Sequence, residues 1–326
     1  MPLPASILCP LRSDCRTMNI IAPSFAILDQ LDQQSLAVRI EYCGRICYKS
    51  EDRITQESAL PFVAKMAEHG HNSVLEMGVV TLELCADDSA AADLFLRQPK
   101  YLHISRDGSR LLITASIRAW RELLVSQPDC AVVRAACALL HERHPYFFSA
   151  VLPHGGLAPA PSITVRKMPL DEVERLPPDK LLKHRHVAVR FVVNRAVTHE
   201  LVRHRACSFL QESQRYCRYS ADKFGSEVTF IRPMFWEEDS EEYALWRQAM
   251  EETERLYLRL LETSTAQAAR TVLPNSCKTE IIVYANLEQW RHIFRLRCSK
   301  VAEPSMREVM VPLREEFARR FAALSA

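Results

Sequence analysis

Residues 203–218 gather fixed cations into one short polar stretch. The stretch contains Arg203, Arg205, Arg215 and Arg218, and it has neither lysine nor glycine. An arginine keeps its charge and presents a rigid planar fork of donors that suits phosphate and carboxylate groups. Cations at such short spacing repel one another unless an anion lies between them. These residue types therefore predict binding of an anionic molecule.

The overall composition restricts what that molecule can be. The chain has 326 residues and a net charge of +2, because 42 basic residues nearly balance 40 acidic ones. A general nucleic-acid-binding domain would carry a clear basic excess, so no nucleic-acid partner is expected. No apolar run approaches the length of a membrane-spanning helix, so no membrane partner is expected either. The cationic stretch is a local feature of an ordinary globular chain.

Cysteines and the first residues indicate a cytoplasmic protein without a metal site. The 11 cysteines are scattered, and none forms a CxxC pair or a zinc-type cluster with histidines. They are predicted to be small buried side chains. Residues 1–17 lack the continuous apolar region of a secretory signal and are predicted to be a disordered extension before a domain over 18–326.

Two arginines outside the cationic stretch are predicted to point inward. Arg297 falls on the apolar stripe of a predicted helix over 287–299, and Arg270 ends the apolar segment "AQAAR". A buried guanidinium requires an anionic partner. Glu303, another carboxylate or a ligand could neutralise Arg297. Inward-directed arginines on separate elements favour an internal pocket for a polyanionic small molecule.

A surface salt-bridge network is the alternative reading of the cationic stretch, with Glu200 and Glu212 as its carboxylates. If the helix that begins near residue 195 continues through Arg203 and Arg205, those two side chains diverge and cannot share one small anion. Ser213 and Arg215 lie two residues apart, and in extended chain they would present a hydroxyl and a guanidinium on one side.

The surrounding pattern predicts a single α+β domain with a mixed sheet and flanking helices, elaborated by a central insertion at about 100–185. Within the insertion, residues 145–184 carry many prolines and are predicted to form a surface excursion. The predicted strands are 79–86, 186–194, 280–286 and a hairpin over 101–116 that turns at Asp107-Gly108. The predicted helices are 55–69, 117–125, 129–144, 240–262, 287–299 and 312–324.

The motifs resemble those of the flavin-dependent thymidylate synthases, the ThyX family. "RHRACSFLQES" fits the family's RHR-x7-S signature, and the resemblance extends over about 19–320. Further blocks similar to longer-chain members are "CGRICYKSEDRIT", "GHNSVLE", "RAVTHELVRHR", "RYCRYSADKFGSEVTFIRP", "ARTVLPNSCKTEI" and "NLEQWRHIFRLR". Several independent blocks occur in order, so the resemblance does not depend on one short motif.

The resemblance implies a methyltransferase that makes dTMP from dUMP. The implied carbon donor is 5,10-methylenetetrahydrofolate, and the implied reductant is NADPH acting through FAD. Family members are homotetramers whose active sites lie at subunit junctions, which implies self-association with shared sites. The alternative is a catalytically impaired ThyX-like protein that binds nucleotide only.

Position in the motifs also implies a role for each site residue. The dUMP-binding set is Glu200, Leu201, Val202, Arg203, Gln211, Glu212, Ser213, Gln214, Arg215, Arg270 and Arg297. The FAD-binding set is Ser73, Arg203, His204, Arg205, Gln211, Asn286, Leu287, Glu288 and His292. Arg297 is the implied catalytic residue, at the edge of the pyrimidine.

The residue types agree with this chemistry. Methylation at C5 of a uracil requires that carbon to become nucleophilic, and a fixed cation at the N3/O2 edge of the base would polarise it. Ser213 has no adjacent base in the sequence and is a weak nucleophile at its ordinary pKa. We therefore expect Arg297 to act electrostatically and Ser213 to order the pocket.

The sequence departs from the family pattern at a few positions. Met77 and Glu303 stand where histidine is common, Leu210 replaces a polar residue of the signature, and Ala115-Ser116 replaces a frequent Gly-Asn. Met77 removes a donor on the implied flavin side, so weaker flavin binding is expected. None of these departures replaces an arginine of the predicted site.

Overall fold

The computed structural model describes residues 18–152, 157, 162–219 and 227–324. The extension predicted over 1–17 lies outside these described residues. The strands are β1 (Asn19–Ile21), β2 (Ser24–Ile27), β3 (Val79–Cys85), β4 (His103–Asp107), β5 (Arg110–Ser116), β6 (Thr164–Lys167), β7 (His186–Asn194), β8 (Ser208–Gln211), β9 (Thr229–Ile231) and β10 (Lys278–Asn286). The helices are α1 (Leu36–Arg45), α2 (Ala59–Glu68), α3 (Asp88–Leu96), α4 (Ile117–Ser126), α5 (Ala131–Arg143), α6 (Pro145–Phe148), α7 (Leu170–Glu174), α8 (Pro178–His184), α9 (Arg195–Leu201), α10 (Glu241–Thr263), α11 (Ala266–Ala269), α12 (Leu287–Arg297) and α13 (Pro304–Arg320).

The strands confirm the α+β class and are divided among three sheets. The first sheet has the order β2-β7-β10-β8 and the second has the order β4-β5-β3-β6, and both are antiparallel. β1 and β9 form a separate parallel pair. Among the described residues, no helix is both long and apolar enough to span a bilayer.

The first sheet is covered on both faces, so its central strand is apolar along most of its length. Phe191 and Val283 belong to a core that includes Trp290 of α12 and Phe317 of α13. Ile282 belongs to a second core, beneath the second sheet and helices α1, α2, α4 and α5. Because successive side chains of a strand point to opposite faces, a strand covered on both sides needs apolar residues at successive positions. "EIIVYA" in β10 meets that need.

The second sheet contains the predicted hairpin and corrects one prediction. β4 and β5 turn at Gly108, whose φ of +58° is a conformation that glycine adopts without strain. Residues 145–184 were predicted to be a surface excursion, but β6 within them pairs with β3 as part of this sheet. The many prolines obscured a four-residue strand and three short helices that begin at or just after a proline.

Two predicted helices also differ from the structure. The last helix begins at Pro304 and contains Pro312 in its interior, whereas it was predicted to begin at Pro312. Proline suits the first turn of a helix, and Pro304 occupies that place. Glu303 caps the helix, since its side chain accepts a hydrogen bond of 2.7 Å from the backbone N–H of Met306. The helix predicted through Arg203 and Arg205 ends at Leu201 as α9.

Candidate functional site

Arg203, His204 and Arg205 lie in the turn after α9. The side chain of Asn194 caps the start of α9 by accepting a hydrogen bond from the N–H of Val197. Because the helix ends at Leu201, the condition for the expected divergence of Arg203 and Arg205, a helix that continues through both, is not met. Both arginines are exposed, and neither side chain has an ion pair or hydrogen bond with another described residue. These two guanidinium groups are available to an external anion.

Arg297, at the end of α12, is held by two residues from the region of α9. Its Nε–H donates to Nε2 of His204 at 2.9 Å, and its Nη2–H donates to the backbone carbonyl of Glu200 at 3.1 Å. Its Nη1 also forms an ion pair with the carboxylate of Glu200. The partner is therefore Glu200 and not Glu303, which caps α13. The Arg297 side chain retains 19% exposure, so it is only partly buried.

His204 is neutral in this arrangement. Burial, the charge of Arg297 and the nearby ring of His292 together lower the pKa of His204 to about 4, and burial contributes most. Its Nε2 accepts the hydrogen bond from Arg297, so that nitrogen carries no proton. The rings of His204 and His292 meet edge to face with centroids 6.1 Å apart. The fold therefore joins Glu200, His204, His292 and Arg297 into one group, which we call the Arg297 group.

β8 carries the next predicted site residues beside β10. The side-chain N–H of Gln211 donates to the hydroxyls of Thr198 at 3.0 Å and Thr279 at 3.2 Å. Glu212 is buried, and its two carboxylate oxygens accept from the Tyr219 hydroxyl and the Lys278 ammonium, each at 2.9 Å. Both oxygens of Glu212 are thus already bonded within the chain.

A second carboxylate, Glu280, forms ion pairs that were not predicted from the sequence. Lys278 lies 2.6 Å and Lys49 lies 2.9 Å from one oxygen of Glu280, and Arg190 pairs with the other. Burial alone raises the pKa of Glu280, but Lys278 and Lys49 outweigh it and lower the pKa to about 2. The signal that could have found this group is the charged pair at the start of "KTEIIVYAN", an otherwise apolar strand.

Ser213, Arg215 and Arg270 form a separate region, in which Arg215 is exposed and the other two are half-buried. The Ser213 hydroxyl accepts the backbone N–H of Arg215 at 3.3 Å, and no general base contacts it among the described residues. The Nε–H of exposed Arg215 donates to the side chain of Gln267 at 3.2 Å, on α11 just before Arg270. Gln214 nearby is buried, and its side-chain nitrogen has no hydrogen-bond acceptor. We call these residues the Arg215 group.

The remaining predicted flavin-contacting residues fall into two kinds. Asn286 is buried and occupied, because its oxygen accepts from the N–H of Gln289 and its nitrogen donates to the carbonyl of Lys183, each at 2.9 Å. Leu287 is buried in the core. Ser73 and Glu288 are exposed. The Ser73 side chain makes no hydrogen bond with any other residue of the predicted FAD-binding set. In the dUMP set, Leu201 is likewise a core residue and Val202 is 39% exposed.

Comparison with known proteins places most of these residues within one family match. Residues 170–321 match the Thy1 family, described as thymidylate synthase complementing protein. A flavin-dependent thymidylate synthase of Pyrococcus furiosus is 41% identical over 128 residues, covering 39% of this chain and 52% of the relative. The corresponding enzyme of Corynebacterium glutamicum is 34% identical over 135 residues, covering 36% of this chain and 52% of the relative.

The chain therefore spans about half the length of the curated relatives that it matches. A solved structure of the UMP/dUMP methylase PolB from Streptomyces cacaoi, bound with 5-Br dUMP, aligns with 94% of this chain and 95% of its own at 12% identity and a TM-score of 0.40. The family resemblance predicted from the sequence is confirmed over residues 170–321, which include every predicted site residue except Ser73. The blocks before residue 170 lie outside that match.

The Glu280 cluster yields the first prediction. Glu280→Gln leaves Lys49, Lys278 and Arg190 without the carboxylate that they share, so it should lower the free energy of unfolding by about 3–5 kcal/mol at neutral pH. Urea unfolding followed by circular dichroism measures this loss. The folded-state pKa of about 2 lies below the unfolded value, so the stabilisation is present above the unfolded pKa and is lost as pH falls toward 2.

A matched control is Glu252→Gln, which removes an exposed pair with Arg255 and should change the free energy of unfolding far less, because solvent screens that pair. Equal effects of the two substitutions at neutral pH would contradict a stabilising role of Glu280.

A second prediction concerns the charge state of His204. Arg297→Met removes the adjacent cation and leaves Glu200 free to bind an imidazolium, so the pKa of His204 should rise from about 4 toward its ordinary value. The rise should be incomplete because burial remains. Titration of the histidine ring resonances by NMR measures the pKa.

Arg291→Met is the control for this titration, because Arg291 is exposed on the same helix and forms no hydrogen bond with His204. It should leave the His204 pKa unchanged. A His204 pKa that stays at about 4 in Arg297→Met would show that Arg297 does not influence it.

Proposed function

We propose that this chain, whose residues 170–321 match the Thy1 family, is a flavin-dependent thymidylate synthase that converts dUMP to dTMP. It would use 5,10-methylenetetrahydrofolate as carbon donor, with FAD and NADPH. One observation carries the proposal: Arg203 and Arg205 are exposed and unpaired beside the Arg297 group, within the family match. Unpaired guanidinium groups around a partly exposed, oriented one suit a phosphorylated substrate better than a structural salt-bridge network.

The Arg215 group supplies donors for the phosphate of dUMP. Arg215 is exposed, and among the described residues its guanidinium donates a hydrogen bond to neutral Gln267 only. Arg270 has no side-chain ion pair with a described residue. The unused amide nitrogen of Gln214 provides a further donor. Two cations and an amide donor without an anion of their own fit a nucleotide phosphate.

FAD fits part of the predicted set. Exposed Arg203 and Arg205 can pair with a pyrophosphate, and exposed Ser73 and Glu288 are free to make polar contacts. The side chains of Asn286 and Leu287 are committed to the fold, so they would support such a site through the position of α12. When bound, the flavin would supply the hydride that the reductive methylation requires.

The chain's own contribution to the chemistry is a positioned cation. Arg297 is oriented by Glu200 and His204, and neutral His204 adds no competing charge. A guanidinium held in this way would stabilise negative charge at the N3/O2 edge of a pyrimidine without reorganising. No general base among the described residues contacts the Ser213 hydroxyl. Ser213 would therefore order the pocket and would not attack the nucleotide.

The ion pair between Arg297 and Glu200 favours a second candidate, a protein that binds nucleotide with impaired catalysis. A carboxylate at the guanidinium offsets part of the charge that would polarise the base. Absorbance of the purified protein distinguishes the two, because a preparation that is colourless as purified and also fails to take up added FAD supports the impaired protein.

The proposed activity generates a third prediction. Wild-type protein should form dTMP from dUMP only when methylenetetrahydrofolate, FAD and NADPH are all present. Arg215→Gln should weaken dUMP binding about tenfold or more, since it removes a charge-assisted contact to phosphate. Arg297→Lys should lower kcat more than dUMP affinity, since lysine keeps the charge but loses the planar fork. Chromatography of the nucleotides measures turnover.

Arg291→Gln is the matched control, because it removes an exposed arginine of α12 outside the predicted sets. Its kinetics should equal those of wild type. Absence of dTMP with a fully flavin-loaded protein would refute the synthase activity, and an unchanged kcat in Arg297→Lys would refute the role of its fork.

We also propose a homotetramer with shared sites, which gives a fourth prediction. Among the described residues, no side-chain contact joins the Arg215 group to the Arg297 group, yet one nucleotide would need both. If they come from different chains, a mixture of inactive Arg215→Ala and Arg297→Ala proteins should regain activity after subunit exchange. With random exchange, about a quarter of two-chain sites would have both arginines.

Native mass spectrometry verifies the oligomeric state and the exchange. A fully exchanged mixture that stays inactive would mean that the two arginines act from the same chain. A stable and active monomer would exclude shared sites altogether.

A further inference from the structure

A cavity of about 270 Å³ lies between the two four-stranded sheets, and its lining includes none of the predicted site residues. β3 and β6 of the second sheet form one wall, and β7 and β10 of the first sheet form another. Residues on both sides of position 170, where the family match begins, therefore contribute to it. The lining combines cations with an apolar surface, as ligand pockets do.

The cavity has more positive than negative charge. Arg39, Lys167 and Arg185 line it, and Asp32 is the acidic residue of the described lining. The Asp32 carboxylate lies 3.6 Å from a nitrogen of Arg39 and 2.6 Å from a nitrogen of Arg185, so two arginines share it. His184 also lines the cavity, but burial lowers its pKa to about 4, so it is neutral at pH 7.

Lys167 is the cation of the lining that has no partner. Its ammonium forms no ion pair or hydrogen bond with any described residue, and it is exposed at the end of β6. Although the side chain reaches solvent, desolvation by the surrounding residues lowers the pKa of Lys167, and repulsion by Arg39 and Arg143 lowers it further. A cation placed among other cations is stabilised by an added anion.

Tyr284 directs a second unused donor to the same space. Its hydroxyl oxygen accepts a hydrogen bond of 2.7 Å from Arg39, so its own O–H remains free to donate. Tyr284 is 4% exposed, and no acceptor for that hydrogen is found among the described residues. A buried donor without an acceptor is costly, and a ligand oxygen would satisfy it.

We propose that this cavity binds a small organic dianion, with Lys167 and Tyr284 donating to its oxyanion and Val80, Leu170 and Val173 contacting its carbon portion. The oxyanion is a phosphate or a pair of carboxylates. The lining of the cavity has no residue in common with the proposed nucleotide site.

Isothermal titration calorimetry at constant ionic strength tests the proposal with two probes, inorganic phosphate and succinate. Wild-type protein should bind at least one of them, and the better probe identifies the oxyanion. Lys167→Gln should weaken that binding about tenfold, because it removes a charge-assisted hydrogen bond. Tyr284→Phe should also weaken it, since the ring remains while the hydroxyl is lost. Circular dichroism confirms that each variant is folded.

Two controls separate this cavity from other anion sites. Lys300→Gln removes an exposed lysine elsewhere and should leave binding unchanged. Arg215→Gln removes a cation of the proposed nucleotide site and should leave the Lys167-dependent binding in place, even if phosphate also binds there. Failure of both probes to bind wild-type protein overturns the proposal, and so does binding that Lys167→Gln leaves unchanged.

Discussion

The pairing of β10 with β7 on one side and β8 on the other determines where the charged groups lie. At the start of β10, the backbone carbonyl of Glu280 accepts the N–H of Glu212 at 2.8 Å, which brings two buried carboxylates beside Lys278. At its end, Asn286 begins α12, and the last residue of that helix, Arg297, returns to α9. A shift of β10 by one residue would turn its side chains to the opposite faces and separate both groups.

The cations of the structure differ in whether a carboxylate of the chain balances their charge. Lys278, Lys49 and Arg190 surround buried Glu280, and their charges are balanced inside the fold. Such a cluster joins β7 to β10 and has little charge left for a ligand. Arg203 and Arg205 are exposed, and no carboxylate of a described residue pairs with them. Unbalanced arginines do not contribute to stability in this way, so their presence is better explained by an external anion.

Much of this arrangement could be predicted from sequence because it depends on local patterns. The alternation of apolar residues predicts strand β7. The Asp-Gly pair predicts the turn at Gly108, and the residue type of Asn286 suits the cap of α12. Long-range pairing could not be predicted. Arg297 pairs with Glu200, which is far away in sequence. Glu303 is nearer in sequence, but its carboxylate caps α13. Two of the partners of Glu280, Lys49 and Arg190, were missed because they come from separate elements.

The geometry of Arg297 shows how a paired guanidinium can still serve the proposed reaction. Arginine has five N–H donors. The Nε–H is used by His204, one Nη2–H by the Glu200 carbonyl, and one Nη1–H by the Glu200 carboxylate. One donor therefore remains on each terminal nitrogen, and both remaining donors lie in the plane that the three existing bonds fix. A pyrimidine edge presents acceptors in one plane. The ion pair with Glu200, which offsets part of the charge of Arg297, therefore also orients the donors that a base would meet.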